Sequence, residues 1–228
     1  MSLWDRMPYV WKVCTEQAWM AFMEGSVPVG AVVANANGEV VARDRNRIGE
    51  KTCAPQQIAG HRLAHAEMNV LLRVRCQRDS QETYALYTAL EPCPLCMGAF
   101  YMSGLRCLYY AARDGHAGST NLLGKTPYLS LKPVTVHGPC LELEALFQTL
   151  HLVYGMSEGR FSPWLIERFV QLYPKAGLLS RNLLDEGYFA RAVAQRATAR
   201  DMVSDLAPLL EPEALPEHHD LSTWALQG

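Results

Sequence analysis

His65, Glu67, Cys93 and Cys96 are the residues whose types and spacing point most directly to chemistry. The chain reads His65-Ala66-Glu67 and, further on, Pro92-Cys93-Pro94-Leu95-Cys96. One imidazole and two thiolates hold a zinc ion through three protein ligands and leave the fourth position to water, the layout of a catalytic zinc site. Glu67 is then a carboxylate placed to move protons beside the metal. Neither string decides the matter alone. His-x-Glu recurs by chance in helices, and Cys-x-x-Cys also serves as half of a structural zinc site or as a redox pair. A structural site needs a fourth ligand, for which His61 and Cys107 stand as candidates without motif context. The flanking prolines and the order of the two strings favour a single shared centre.

Residues two apart on a regular helix do not face each other. His65 and Glu67 therefore reach one ion only if it lies at the start of a helix. Cys93 and Cys96 are three apart and share a face around a second helix start, where the dipole lowers a thiol pKa. The two helix starts must converge, as the carboxyl ends of neighbouring parallel strands arrange.

The surrounding sequence supplies elements for this. Residues 8–23 carry Trp11, Cys14, Ala18 and Ala21/Phe22 on one helical face, with Gly25 placed to end the helix. Residues 27–35 and 39–45 read as strands joined by Asn37-Gly38, for which a type I′ hairpin is expected. Residues 47–60 form a long loop before the metal helix, a position from which loops often shape active sites. Helices are expected over 63–76 and 94–103, the second with Pro94 in its first turn and Gly104 at its end. Strands are expected over 84–89, 107–112 and 134–137, and a closing amphipathic helix over 141–153. A hairpin followed by alternating strands and helices predicts an α/β fold whose mixed sheet is covered on both faces. Beyond residue 156, stretches 163–173, 178–185 and 188–205 read as helices, and Pro208, Pro212 and Pro216 mark an irregular tail. The chain thus divides into residues 1–155 and a C-terminal helical extension, 156–228.

With 49% hydrophobic and 19% charged residues, the composition is that of a globular protein. No apolar run reaches the ~18 residues that span a bilayer. The opening MSLWDRMPYV lacks a basic and then apolar leader, so no secretory signal is expected. The odd count of 7 cysteines points to a reducing cytoplasm, with Cys14, Cys53, Cys76 and Cys140 as core or loop thiols. A net charge of −2 lends no support to nucleic-acid binding, which usually needs a basic patch. The basic residues at 43–47 and 73–78 read as solvated faces.

The two metal strings, together with Val27-Pro28-Val29-Gly30-Ala31-Val32, Asn46-Arg47, Leu90-Glu91-Pro92-Cys93 and Ala112-Arg113-Asp114, resemble the zinc-dependent cytidine and deoxycytidylate deaminase superfamily. The similarity covers residues 10–154 and is closer to the branch holding tRNA adenosine deaminases and the small guanine and cytosine deaminases. It implies a three-layer α/β/α cytidine-deaminase-like fold with a mixed five-stranded sheet, and a homodimer. It implies Zn2+ on His65, Cys93 and Cys96, and Glu67 as the catalytic proton carrier. Val29 and the backbone around Ala66 should line the pocket. Asn46 should hydrogen-bond base or sugar, and Asp114 should sense what hangs from the base. Each also has a plain reading: Val29 as core, Asn46 as a turn residue, Asp114 as a loop cap.

The implied reaction is hydrolytic deamination of a ring carbon, releasing ammonia. A free nucleobase or nucleoside is the expected substrate, because the mild acidity and the lack of a basic, aromatic C-terminal ending speak against tRNA. Adenosine in tRNA is the alternative. A zinc-stabilised binding protein without catalysis is a third reading, opposed by the retention of Glu67. The loop 47–63 is longer than in tRNA-editing enzymes. Pro94 is similar to guanine deaminases, whose second acidic residue has Glu158 and Glu167 as candidates here.

Overall fold

The computed structural model describes residues 2–74 and 84–211, so Cys76, the basic residues at 75–78, and the tail with Pro212 and Pro216 lie outside the described residues. Helices α1 (Leu3–Arg6) and α2 (Tyr9–Met23) lead into strands β1 (Gly30–Asn35) and β2 (Val40–Arg45). Then come α3 (Ala66–Leu72), β3 (Tyr84–Leu90), α4 (Pro94–Ser103), β4 (Cys107–Ala112), β5 (Thr135–His137) and α5 (Leu141–Met156). Helices α6 (Pro163–Leu172), α7 (Pro174–Asp185), α8 (Tyr188–Ala194) and α9 (Ala199–Leu206) follow.

The five strands form one sheet in the order β2-β1-β3-β4-β5. β1 runs antiparallel to both β2 and β3, whereas β3, β4 and β5 are parallel. Successive strand residues point to opposite faces. Accordingly Tyr87 meets Trp11 of α2, while its neighbour Thr88 meets Glu67 of α3. Helices α2 and α3 therefore cover opposite faces, with α4 packed beside α3. The expected mixed sheet between helices is present. Gly30 makes the α2 layer fit: a Cβ there would sit 2.1 Å from the Cys14 carbonyl oxygen.

The hairpin differs from the expected type I′ turn. Neither Ala36 nor Asn37 takes the positive φ that type I′ requires, and Gly38 alone does, at 78°. The Asn35 side-chain oxygen accepts the N–H groups of Asn37 and Glu39, both at 3.0 Å, and holds the wider turn. The ladder also shifts register between Val33 and Ala34. The helix expected over 63–76 begins at Ala66, with His65 as its cap, and ends at Leu72.

The single helix expected over 188–205 is two. Arg196 takes a φ of 52°, and Thr198 starts α9 with a reciprocal capping box to Asp201. That Thr-x-x-Asp string was the available signal. The other surprise is α5, expected to be amphipathic yet buried from Leu143 to Gly155. β4 packs on it from one side and α7 from another. Leu183, Phe189, Met202, Val203 and Leu206 of the later helices join the same apolar cluster as Val32, Leu86 and Leu108 of the sheet. The Trp19 indole N–H donates to the Ala197 carbonyl at 2.7 Å and pins the α8–α9 link onto α2. No described helix is long and apolar enough to cross a membrane. The described cysteines are all free.

Candidate metal centre and active site

His65 and Cys93 occupy equivalent places: each is the extended residue that caps a helix start, His65 before α3 and Cys93 before α4. Pro94 fixes the first turn of α4 and brings Cys96 round beside Cys93. The backbone fastens each start. Arg47 N–H donates to the Ala64 carbonyl at 2.9 Å, one residue before His65, and Ser119 N–H donates to the Pro92 carbonyl at 3.0 Å, one residue before Cys93.

The three donors form a tight triangle. His65 Nδ1 lies 3.6 Å from Cys93 Sγ and 3.4 Å from Cys96 Sγ, and the two sulfurs are 3.7 Å apart. Tetrahedral zinc with bonds of about 2.3 Å to sulfur and about 2.05 Å to nitrogen demands edges of about 3.8 Å (S···S) and about 3.6 Å (S···N). The triangle has the dimensions of a zinc site. Among the described residues no fourth His, Cys, Asp or Glu completes it. His61 is exposed and its Nδ1 accepts the Leu63 N–H at 3.1 Å, while Cys107 sits at the opposite end of β4.

Electrostatics agree. The Cys93 thiol is pulled down to about 4, first by the hydrogen bond from Cys96 and then by that from His65, so it is a ready thiolate. Cys96 moves up because it donates that same hydrogen bond and is buried. A divalent cation in the triangle would be held by thiolates, so its binding would displace thiol protons.

Glu67 completes the cluster. Its side chain is buried, with Oε2 3.3 Å from Cys96 Sγ and Oε1 accepting the Thr88 hydroxyl at 2.8 Å. Burial raises its pKa, against the downward pull of His65. A carboxylate so placed, beside three donors that would leave a tetrahedral ion one further position, could exchange protons with whatever occupied that position.

The remaining expected residues lie around this centre in less direct ways. Ala66 is fully buried between His65 and Glu67. Val29 and Asn46 are both buried and joined by the Asn46 N–H to the Val29 carbonyl at 2.9 Å. Asn46 Oδ1 accepts the Ile48 N–H at 3.0 Å, which is the turn role. Asp114 Oδ1 accepts the N–H groups of His116 and Ala117, both at 2.9 Å, and so caps its own loop. Glu167 is exposed on α6, and the Glu158 side chain is outside the described residues.

Two supporting residues, Thr88 and Asn69, escaped the sequence reading, and Glu91 was named there only within a matching block, without a role. Thr88 is the hydroxyl partner of Glu67. Glu91 holds the loop after β4 through Thr120, accepting its N–H at 3.1 Å and its hydroxyl at 2.5 Å. Asn69, one turn after His65, grips the long loop through both Ile58 N–H (2.6 Å) and Ile58 carbonyl (3.1 Å). A polar side chain between the buried apolar residues Leu86 and Leu90 of β3, and an asparagine inside a short helix, were the signals for Thr88 and Asn69.

Residues 5–112 match the family model described as the cytidine and deoxycytidylate deaminase zinc-binding region. A tRNA-specific adenosine deaminase of Rickettsia bellii is 33% identical over 108 residues, 46% of this chain and 68% of that protein. A probable cytosine deaminase of Schizosaccharomyces pombe is 28% identical over 134 residues, 54% of this chain and 77% of that protein. Among solved structures, one in complex with 2,6-diaminopurine superposes with a TM-score of 0.51 at 26% identity, covering 69% of this chain and 84% of that one. With its three-donor triangle, its mixed sheet and these relatives, the chain belongs to the cytidine and deoxycytidylate deaminase zinc-binding family.

Proposed function

We propose that this protein is a zinc-dependent aminohydrolase that converts the exocyclic amino group of a free nucleobase or nucleoside to a carbonyl and releases ammonia. The observation that carries the reading is the buried Glu67 carboxylate set against a three-donor triangle of zinc dimensions. Zinc, held by His65, Cys93 and Cys96, would supply Lewis acidity that brings the pKa of a water toward ~7. Glu67 takes a proton from the attacking water and passes it to the ring nitrogen, which makes the neighbouring carbon electrophilic. The carbon–oxygen bond forms, Glu67 takes the second proton from the hydroxyl now on that carbon, and it delivers this proton to the amine as the carbon–nitrogen bond breaks, leaving a carbonyl, a protonated ring nitrogen and ammonia. Burial suits this traffic, since a raised pKa narrows the gap between accepting and donating.

Asn46 would present its side-chain N–H2 to the base or sugar, its oxygen being occupied by Ile48. Val29 and the backbone at Ala66 would form the pocket wall, and Asp114 would hold the loop that faces the substrate. A free base is supported by the net charge of −2 and by the purine analogue in the solved relative. The second reading, adenosine in tRNA, draws on the Rickettsia bellii relative. We further propose a cytoplasmic homodimer. Helix α4 has no charged residue, leaves Met102 exposed, and lies beside the exposed Tyr128, whose hydroxyl meets Met102 Sδ at 3.1 Å, an apolar surface that a second copy would cover.

Ammonia release from zinc-loaded protein, measured on purines, pyrimidines, their nucleosides and a tRNA anticodon stem, separates the two substrates. Turnover confined to the anticodon stem, falling steeply with salt, would replace the free-base reading with the tRNA one.

A further inference from the structure

Thr88 is fully buried in the middle of β3, on the face toward α3. Its neighbours on that face, Leu86 and Leu90, are apolar and buried, so packing alone calls for an aliphatic side chain. The β3 backbone is paired on both sides, Thr88 facing Ala31 of β1 and Tyr110 of β4. Its hydroxyl meets Glu67 Oε1 at 2.8 Å. This contact makes the two carboxylate oxygens unlike: Oε1 is anchored to the sheet, and Oε2 is turned to the sulfur cluster, 3.3 Å from Cys96 Sγ.

We infer that Thr88 is the positioning residue of the reaction, fixing the plane of the Glu67 carboxylate so that Oε2 alone handles the proton. The terminal torsion of a glutamate is broad and roughly two-fold, so a free carboxylate would swing and interchange its oxygens. A hydroxyl on a rigid central strand removes that freedom, and it donates to the carboxylate without competing for its proton. The inference rests on Glu67 being the proton carrier.

The test compares zinc-loaded wild type, Thr88→Val, Thr88→Ser and Glu67→Gln, using as probes cytosine, guanine, adenosine and the anticodon stem. Thr88→Val keeps the shape and removes the donor. It should retain zinc at the wild-type ratio, leave KM within about two-fold and lower kcat by about 10- to 100-fold, part of the acid–base contribution. Thr88→Ser should restore kcat. Crystal structures of the zinc-loaded variants give a second readout: the carboxylate should leave its place in Thr88→Val and return to it in Thr88→Ser. Thr88→Ala replaces Thr88→Val if the latter does not fold. An inactive Glu67→Gln beside a Thr88→Val of wild-type kcat and unmoved carboxylate would overturn the Thr88 role alone. A fully active Glu67→Gln would instead overturn the role of Glu67 itself.

Discussion

Arg113 and Glu144 form a buried two-point ion pair: Arg113 Nε and Nη2 donate to the two Glu144 oxygens at 2.6 and 2.8 Å. The pair ties the loop that follows β4 to helix α5, and Gln148 of the same helix donates to the Arg113 carbonyl. Side-chain exposures of 4% and 6% leave neither charge another partner in water. Glu144→Ala should therefore destabilise the fold by about 3–5 kcal/mol, because it strands a buried guanidinium. Chemical denaturation checks this, and a loss below about 1 kcal/mol would contradict the assigned burial.

Metal removal should be felt in both stability and loading. Zinc binds the folded triangle and not the unfolded chain, so the melting temperature should climb with free zinc, by about 2.7 kcal/mol of stability at a hundred-fold excess over Kd. Cys93→Ala should lose zinc, whereas Cys53→Ala, which removes an exposed thiol, should load as wild type. Metal analysis after dialysis against a chelator and re-addition reads both.

His151 predicts a pH effect. It is buried against the rings of Phe161 and Phe169, and its Nδ1 has no hydrogen-bond partner among the described residues. Burial lowers its pKa below the ordinary 6.5, opposed by the nearby Asp114. In the folded protein the ring stays neutral where the unfolded chain takes up a proton. The unfolded state then binds more protons, so stability is intact above about pH 6.5 and falls as pH drops below it, by at most about 1.4 kcal/mol per pH unit. His151→Leu should flatten that acid limb between about pH 7 and pH 5 relative to wild type, measured by urea titration at each pH. Parallel limbs would show that His151 titrates alike in both states.

Phe169 tests the joint between the extension and the sheet region. It is 2% exposed, stacked with Tyr173 and Phe161 against α5. Phe169→Ala should cost about 3–5 kcal/mol and lower the one cooperative transition of the whole chain. A separate early transition, with the main one unmoved, would mean that α6 and α7 melt independently.

The site was legible because its residues are bound to helix starts that announce themselves. Pro94 and Gly104 bracket α4 at its observed bounds, and Cys93 falls at its cap. The ligand triangle followed from the two strings taken together and from the family they resemble. What sequence spacing could not reveal was partnership between distant elements: Thr88 of β3 reaches Glu67 of α3 over 21 residues, and Arg113 reaches Glu144 of α5 over 31. Helix α5 misled for a related reason. Its polar residues Glu144, Gln148 and Thr149 read as a wet face, yet each is buried with a partner, because later helices cover that side. The turn at Gly38 misled through Asn35, whose side chain sets the turn from outside it.

The most direct measurement is ammonia release by zinc-loaded wild type and Glu67→Gln, side by side, with zinc counted in each. The account predicts that both hold one ion per chain at His65, Cys93 and Cys96, that wild type turns a ring amine into a carbonyl, and that the variant releases no ammonia. Wild-type turnover by Glu67→Gln, or a fully loaded wild type inert toward every ring amine offered, would contradict it.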